Sequence, residues 1–164
     1  MSYKQKLHAV HTFVFDVDGV MTDGTVHAIP GHQPYRVFHA RDGYAIHRAI
    51  QQGYRIAILS GGKSEAVRER FHALGCQDIY LDAQEKGDPM ESLLLAYDLT
   101  RDSVLYMGDD IPDLAAMSLC GVKTAPQDAA PEIKAIADYI SPYKGGQGCV
   151  RDVIEQVLKL HGKW

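Results

Sequence analysis

Phe13-Val14-Phe15-Asp16-Val17-Asp18-Gly19-Val20-Met21-Thr22-Asp23-Gly24 is an apolar run that ends in two carboxylates spaced i and i+2, with a glycine directly behind them. On a strand, residues i and i+2 point the same way. Asp16 and Asp18 therefore start on one side, and a turn at Gly19 carries their carboxylates over the strand's carboxyl end. Two acids held together repel, so one pKa rises or a cation joins them. A hard divalent metal such as Mg²⁺, which takes oxygen ligands, is the natural third party. Taken alone, the pair reads equally as a βα turn built from acidic turn-formers.

Working outward, residues 12–16 form a buried strand, apolar on both faces, as in a parallel sheet covered on both sides. The segment 25–40 differs, with β-prone runs on either side of Pro30-Gly31, and predicts a hairpin flap over about 24–40, beside the acids. Helical spacing from Arg41 to Gly53 follows, then strand 55–59, which ends in Ser60-Gly61-Gly62. Helix 63–74, strand 78–81 and a helix over 88–99 come next. Strand 103–107 ends in Gly108-Asp109-Asp110. A short helix 114–119, strand 121–124, helix 131–137 and edge strand 139–140 lead to a glycine-rich link at 145–148 and a last helix, 150–160. The alternation predicts one α/β domain over 1–164, a doubly wound, mostly parallel sheet with right-handed crossovers.

Composition narrows the function classes. A net charge of −4, with no basic block, argues against nucleic-acid binding. Cys76, Cys120 and Cys149 are odd in number and far apart, which fits reduced thiols in a cytoplasmic protein rather than a disulfide set or a zinc site. No apolar run approaches membrane-spanning length, and the N-terminus lacks a signal-peptide pattern.

In an open α/β sheet, ligands bind beyond the carboxyl ends of the strands. Three of those ends carry polar clusters, and Lys86 follows the third strand. Together they supply a reaction kit. Asp16 can attack a phosphoryl group and form an aspartyl-phosphate. Asp18 can protonate the leaving alcohol and then activate water. Ser60 and the amides of Ser60-Gly61-Gly62 can cradle phosphate. Lys86 can neutralise charge on the transferred oxygens, and Asp109 can complete a Mg²⁺ site with Asp16. Each piece also has an ordinary reading: a turn at Ser-Gly-Gly, a solvated lysine, and a loop or cap at Gly-Asp-Asp with Asp113 as a supporting acid. Their occurrence at successive strand ends, in order, favours the kit.

Asp16-x-Asp18-Gly-x-x-Thr22-Asp23-Gly24, Ser60-Gly61, Lys86 and Gly108-Asp109-Asp110-x-x-Asp113 resemble the four motifs of the haloacid dehalogenase superfamily of phosphatases. The short chain without a cap domain, the stretch Phe38-His39-Ala40-Arg41-Asp42-Gly43-Tyr44 and the tail Gly145-Gly146-Gln147-Gly148 resemble its 3-deoxy-D-manno-octulosonate 8-phosphate phosphatase group. The resemblance implies Asp16 as nucleophile and metal ligand, and Asp18 as acid/base and as a ligand through its backbone carbonyl. Asp109 would be the remaining ligand, with Asp110 and Asp113 supporting and Thr22 orienting Asp18. Ser60, Gly61 and Lys86 would hold the phosphate. His39, Ala40, Arg41, Asp42, Gly43 and Arg70 match positions that contact the sugar acid, with Gly62 beside them. It also implies a homotetramer whose hairpins and C-terminal tails cover neighbouring sites.

Where the octulosonate phosphatases usually carry arginine, this chain has Gly62. A related nine-carbon group has glutamate there and a lysine on the following helix, where this chain has Ala73. Neither specificity pattern is matched, and Arg41-Asp42-Gly43 tilts the balance to the eight-carbon substrate. The rival substrate is a nine-carbon keto-sugar acid 9-phosphate. The rival outside enzymes is a non-catalytic tetramerisation module, which the intact acids and Lys86 oppose.

Overall fold

In the computed structural model, which describes residues 1–164, strands β1 (Thr12–Asp16), β2 (Arg55–Leu59), β3 (Asp78–Tyr80), β4 (Val104–Met107), β5 (Val122–Ala125) and β6 (Tyr139–Ile140) form one sheet. Its order is β3-β2-β1-β4-β5-β6, and every neighbouring pair is parallel. The chain runs outward from β1 through β2 to β3, then crosses back to place β4 on β1's other side. The order reverses between β1 and β4, which is where doubly wound sheets bind ligands.

Period-two alternation sorts the strand side chains between two cores. Phe13, Phe15, Ile56, Ile58, Leu105 and Met107 face one side. They are covered there by α2 (Ala40–Gln51), α3 (Glu65–Ala73) and α7 (Cys149–Leu160). Val14, Ala57, Leu59, Val104 and Tyr106 face the other, under α4 (Gly87–Ala96), α5 (Leu114–Ser118) and α6 (Pro131–Ile136). In α7, Val150, Val153, Ile154, Val157 and Leu158 recur at helical spacing and are all buried. A short N-terminal helix, α1 (Tyr3–Lys6), is tied on by the 2.7 Å ion pair from Lys6 to Asp138 and by Tyr3 stacked on Tyr139. No helix is long and apolar enough to cross a membrane.

Three expected elements differ. The 24–40 hairpin reduces to a single antiparallel bridge, His27 with Tyr35. His27 and Tyr35 exchange both amide-to-carbonyl bonds, at 3.1 and 3.0 Å, and the chain on either side of them is irregular. Helix α3 begins at Glu65, not 63, because the preceding loop bonds elsewhere: Asp82 and Ala83 amides donate to the Gly62 and Ser60 carbonyls at 2.9 and 3.0 Å. Helix α4 ends at Ala96, not 99, because Asp98 takes a left-handed φ of 49° and the amides of Asp98 and Leu99 turn back to Leu95 and Leu94.

The glycine-rich link runs under the β1 turn. Gly146 N–H donates to the Val20 carbonyl at 3.0 Å, and a Cβ at Gly145 would overlap the Gly19 carbonyl. Backbone cannot yield as a flexible side chain does. Gly145→Ala is therefore expected to destabilise the protein by about 3 kcal/mol, read as a lower denaturation midpoint. A stability unchanged from wild type would show that this contact is loose.

Candidate active site

The β1–β4 junction gathers acids from two strand ends. Asp16 is the last residue of β1, and Asp109 lies two residues past β4. Beyond Asp16 the chain makes one wide turn, Val17–Met21, broken at Asp18 and at Gly19, whose φ is 91°. Glycine is needed there twice over. The φ is left-handed, and a Cβ would overlap the Asp109 carboxylate. Thr22 Oγ1 accepts from the Gly19 and Gly24 amides at 3.3 and 3.2 Å. It pins the loop backbone at the residue that follows Asp18.

Beneath this turn lies a buried charge cluster. Lys86 Nζ donates to Asp16 Oδ1 at 2.7 Å and to Asp113 Oδ1 at 2.8 Å, and all three residues are almost fully buried. Asp113 Oδ1 also accepts from the Tyr106 hydroxyl at 2.7 Å, while Oδ2 accepts from the Asp109 and Asp110 amides. Asp110 caps the following turn through Ile111 N–H at 2.8 Å. Burial lowers the Lys86 pKa, but Asp16 and Asp113 outweigh it and the net shift is upward. Burial, then the Asp113 charge, pushes Asp16 well above the carboxylate range despite Lys86. Asp109 is pushed up to about 6, chiefly by burial, with the Asp113 charge adding to it.

Asp16, Asp109 and Asp113 bring carboxylate oxygens within 4.8 Å of one another. One ammonium against three carboxylates leaves a negative excess that a divalent cation would relieve. Asp113 has both oxygens occupied by donors, so it serves as the brace for Lys86 and for the Asp109 backbone. Asp16 and Asp109 are the two of the three whose oxygens could hold an ion. An all-oxygen donor set suits Mg²⁺.

Asp16, Asp18, Gly61, Gly62, Lys86 and Asp109 line one open cavity of about 380 Å³. Ser60 sits just behind it, 2 % exposed, its Oγ accepting from the Gly62 amide at 3.1 Å. A residue that sequence reasoning passed over reaches Asp18 from outside this lining. Arg36, on the flap, grips Asp18 with two bonds, Nε to Oδ1 at 2.6 Å and Nη2 to Oδ2 at 3.1 Å. Its signal in the sequence was a lone charge inside the run Tyr35-Arg36-Val37-Phe38. Tyr106 was also missed; a hydroxyl in the buried strand Val104-Leu105-Tyr106-Met107 needs a partner, and that need is the readable sign.

The expected sugar-contact residues lie elsewhere in the chain. Asp42 is 2 % exposed and its Oδ1 accepts from Arg151 N–H at 2.8 Å, in the first turn of α7. That oxygen is held at a helix end whose free amides favour an anion, while Asp42 Oδ2 is buried without a hydrogen-bond partner. Gly43 is buried under Arg70, whose Nη2 would lie 2.7 Å from a Cβ there. Arg70 thus rests on α2, away from the acids. His39 and Arg41 face a second, larger open cleft of about 710 Å³ against α7, with exposed Ala40 between them. Chemistry, not size, selects the smaller cavity as the candidate site.

The family model for haloacid dehalogenase-like hydrolases matches residues 74–154. A 3-deoxy-D-manno-octulosonate 8-phosphate phosphatase of Haemophilus influenzae is 33% identical over 160 residues, covering 98% of this chain and 89% of that protein. The chain belongs to the haloacid dehalogenase-like hydrolases. Among solved structures of this family, the 3-deoxy-D-manno-octulosonate 8-phosphate phosphatase of Yersinia pestis superposes with a TM-score of 0.95 at 30% identity, covering 98% of this chain and 87% of that one. The Moraxella catarrhalis phosphatase of the same description, solved with magnesium, phosphate and the sugar acid, gives 0.92 at 30% identity, covering 96% and 90%. The expected family and α/β architecture are both met.

The raised Asp109 pKa has a definite consequence for stability. The folded chain holds a proton there that the unfolded chain has released, so this contribution is full below about pH 4 and is lost as pH rises through about 6. With a chelator present, Asp109→Asn is expected to melt above wild type at pH 7.5, and the gap should close by pH 5. Excess Mg²⁺ should raise the melting temperature of wild type far more than that of the variant. Equal melting curves at every pH would contradict the arrangement described.

Proposed function

We propose that this protein is a Mg²⁺-dependent phosphomonoesterase that hydrolyses 3-deoxy-D-manno-octulosonate 8-phosphate to the free sugar acid and phosphate, supplying lipopolysaccharide precursors in the cytoplasm. The observation that carries the reading is the buried Asp16–Lys86–Asp113 cluster, opened on one side to a cavity where Asp18 and Asp109 converge. The H. influenzae relative named for this activity supports the substrate.

An Asp16 carboxylate oxygen attacks phosphorus, and the bond from phosphorus to the C8 oxygen breaks. Asp18 gives its proton to that leaving oxygen, then takes one from the water that cleaves the aspartyl-phosphate and restores Asp16. Lys86 is fixed by Asp113 within 2.8 Å and keeps its charge beside the transferred group. Ser60 and the Gly61-Gly62 backbone cradle the phosphate oxygens. Mg²⁺ held by Asp16 and Asp109 would keep both acids ionised and screen the carboxylate from the phosphate it approaches.

Assembly into a tetramer is part of the proposal. Val26, Ile29, Tyr35 and Val37 leave 47, 41, 56 and 73% of their surface exposed on one flap, an apolar patch suited to a second copy. In such an assembly the flaps and C-terminal tails of neighbouring copies would cover one another's sites.

Phosphate release from a panel of eight- and nine-carbon sugar-acid phosphates, with and without Mg²⁺, tests the reading. The eight-carbon ester should be preferred and turnover should vanish in chelator; silence on the whole panel would leave the non-catalytic module standing. Asp16→Asn should abolish turnover with the fold retained but a lower melting temperature, since Lys86 loses one of its two buried carboxylates, and substantial residual activity would remove Asp16 as nucleophile. Light scattering should give roughly four chains per particle, and a fully active monomer would rule out sites shared between copies.

A further inference from the structure

Among the residues lining the acid cavity, five aspartates face a single cation, Lys86, and both Asp16 and Asp113 already hold it. A substrate bearing a carboxylate as well as a phosphate needs a second positive partner on the leaving-group side. Arg36 stands there. Its side chain is 9% exposed, its Nη1 donates to the Pro34 carbonyl at 3.3 Å, and its other donors close on Asp18.

This grip conflicts with the role of Asp18. A carboxylate holding a guanidinium with both oxygens cannot carry a proton to a leaving oxygen. The guanidinium must therefore move for turnover, and a substrate carboxylate offers it an equivalent bidentate partner. Room for the guanidinium comes from Gly62, where even a Cβ would stand 3.0 Å from Arg36 Nη2 and 3.5 Å from Ser60 Oγ. The glycine places the arginine beside the phosphate loop rather than out in solvent.

We propose that Arg36 is the specificity residue of this site: it holds Asp18 in the free enzyme and passes to the carboxylate of an acidic substrate, which frees Asp18 for proton transfer. Recognition of the acid and release of the proton donor become one event. The inference rests on the phosphatase reading for its kinetic arm only.

The test pairs two substrates, the eight-carbon sugar-acid phosphate and a sugar phosphate without a carboxylate, such as arabinose 5-phosphate, on the Mg²⁺-loaded enzyme. In Arg36→Ala, kcat/KM for the acid should fall by about 30-fold or more, the loss expected of a charge-assisted bidentate contact. For the carboxylate-free ester it should rise, because Asp18 no longer needs releasing. Arg36→Lys should recover part of the preference. A purely structural role would lower both substrates together, and that outcome overturns the proposal. Titration calorimetry with the free sugar acid gives a readout independent of turnover. There too Arg36→Ala should weaken binding about 30-fold, and equal affinity in the two proteins overturns the proposal. If wild type turns over neither ester while this binding contrast holds, the phosphatase reading fails and Arg36 stands as the acid receptor.

Discussion

The site depends on one ammonium taken out of water. Lys86 is 4% exposed and sits between two carboxylates at 2.7 and 2.8 Å. Burying a charge is costly unless partners surround it closely, and removing one partner from such a pair costs about 3–5 kcal/mol. Asp113 answers this by using every acceptor position: Lys86 and Tyr106 on one oxygen, the Asp109 and Asp110 amides on the other. The same carboxylate thus neutralises Lys86 and sets the backbone from which Asp109 projects. Asp16 and Asp109 keep raised pKa values, first because they are buried and then because Lys86 offsets only part of the surrounding negative charge.

The sheet order explains why these groups meet. Asp16 and Lys86 are distant in sequence, as are Asp16 and Asp109, but β1 and β4 are neighbours in a parallel sheet and present the same end. Parallel strands covered on both faces hold that end rigidly. The acids sit at or just past strand ends and on one wide turn, whereas Arg36 comes from the long irregular flap. A group that must exchange partners sits on the part of the chain with fewest constraints, its flap pinned by the single His27–Tyr35 bridge and by Phe38 packed edge-on against Phe71 at 5.4 Å.

How much could be read in advance follows from the range of each interaction. Strands such as Phe13-Val14-Phe15 announce themselves through local pattern, and the cluster residues Asp16, Lys86, Asp109 and Asp113 announce themselves through type and position at strand ends. Partners fixed only by three-dimensional approach do not. Asp42 looks in sequence like a polar residue at a helix start, but the helix end it satisfies belongs to α7. Arg36 looked like one charge in a β-prone run, because nothing local tells that its guanidinium reaches Asp18. The expected hairpin is present only as the His27–Tyr35 bridge, because the β-prone residues around it pair with nothing else in the chain.

The link at Gly145-Gly146 carries one more meaning. Gly146 N–H and Cys149 Sγ both bond the Val20 carbonyl, and that thiol contact joins residues 129 positions apart. The loop that carries the paired acids is thus finished by the last quarter of the chain. During synthesis the first strand and its turn emerge early, yet their geometry waits for the C-terminal segment to arrive beneath them. The acidic loop is therefore assembled late, so that a partly made chain carries the residues of the site without its shape.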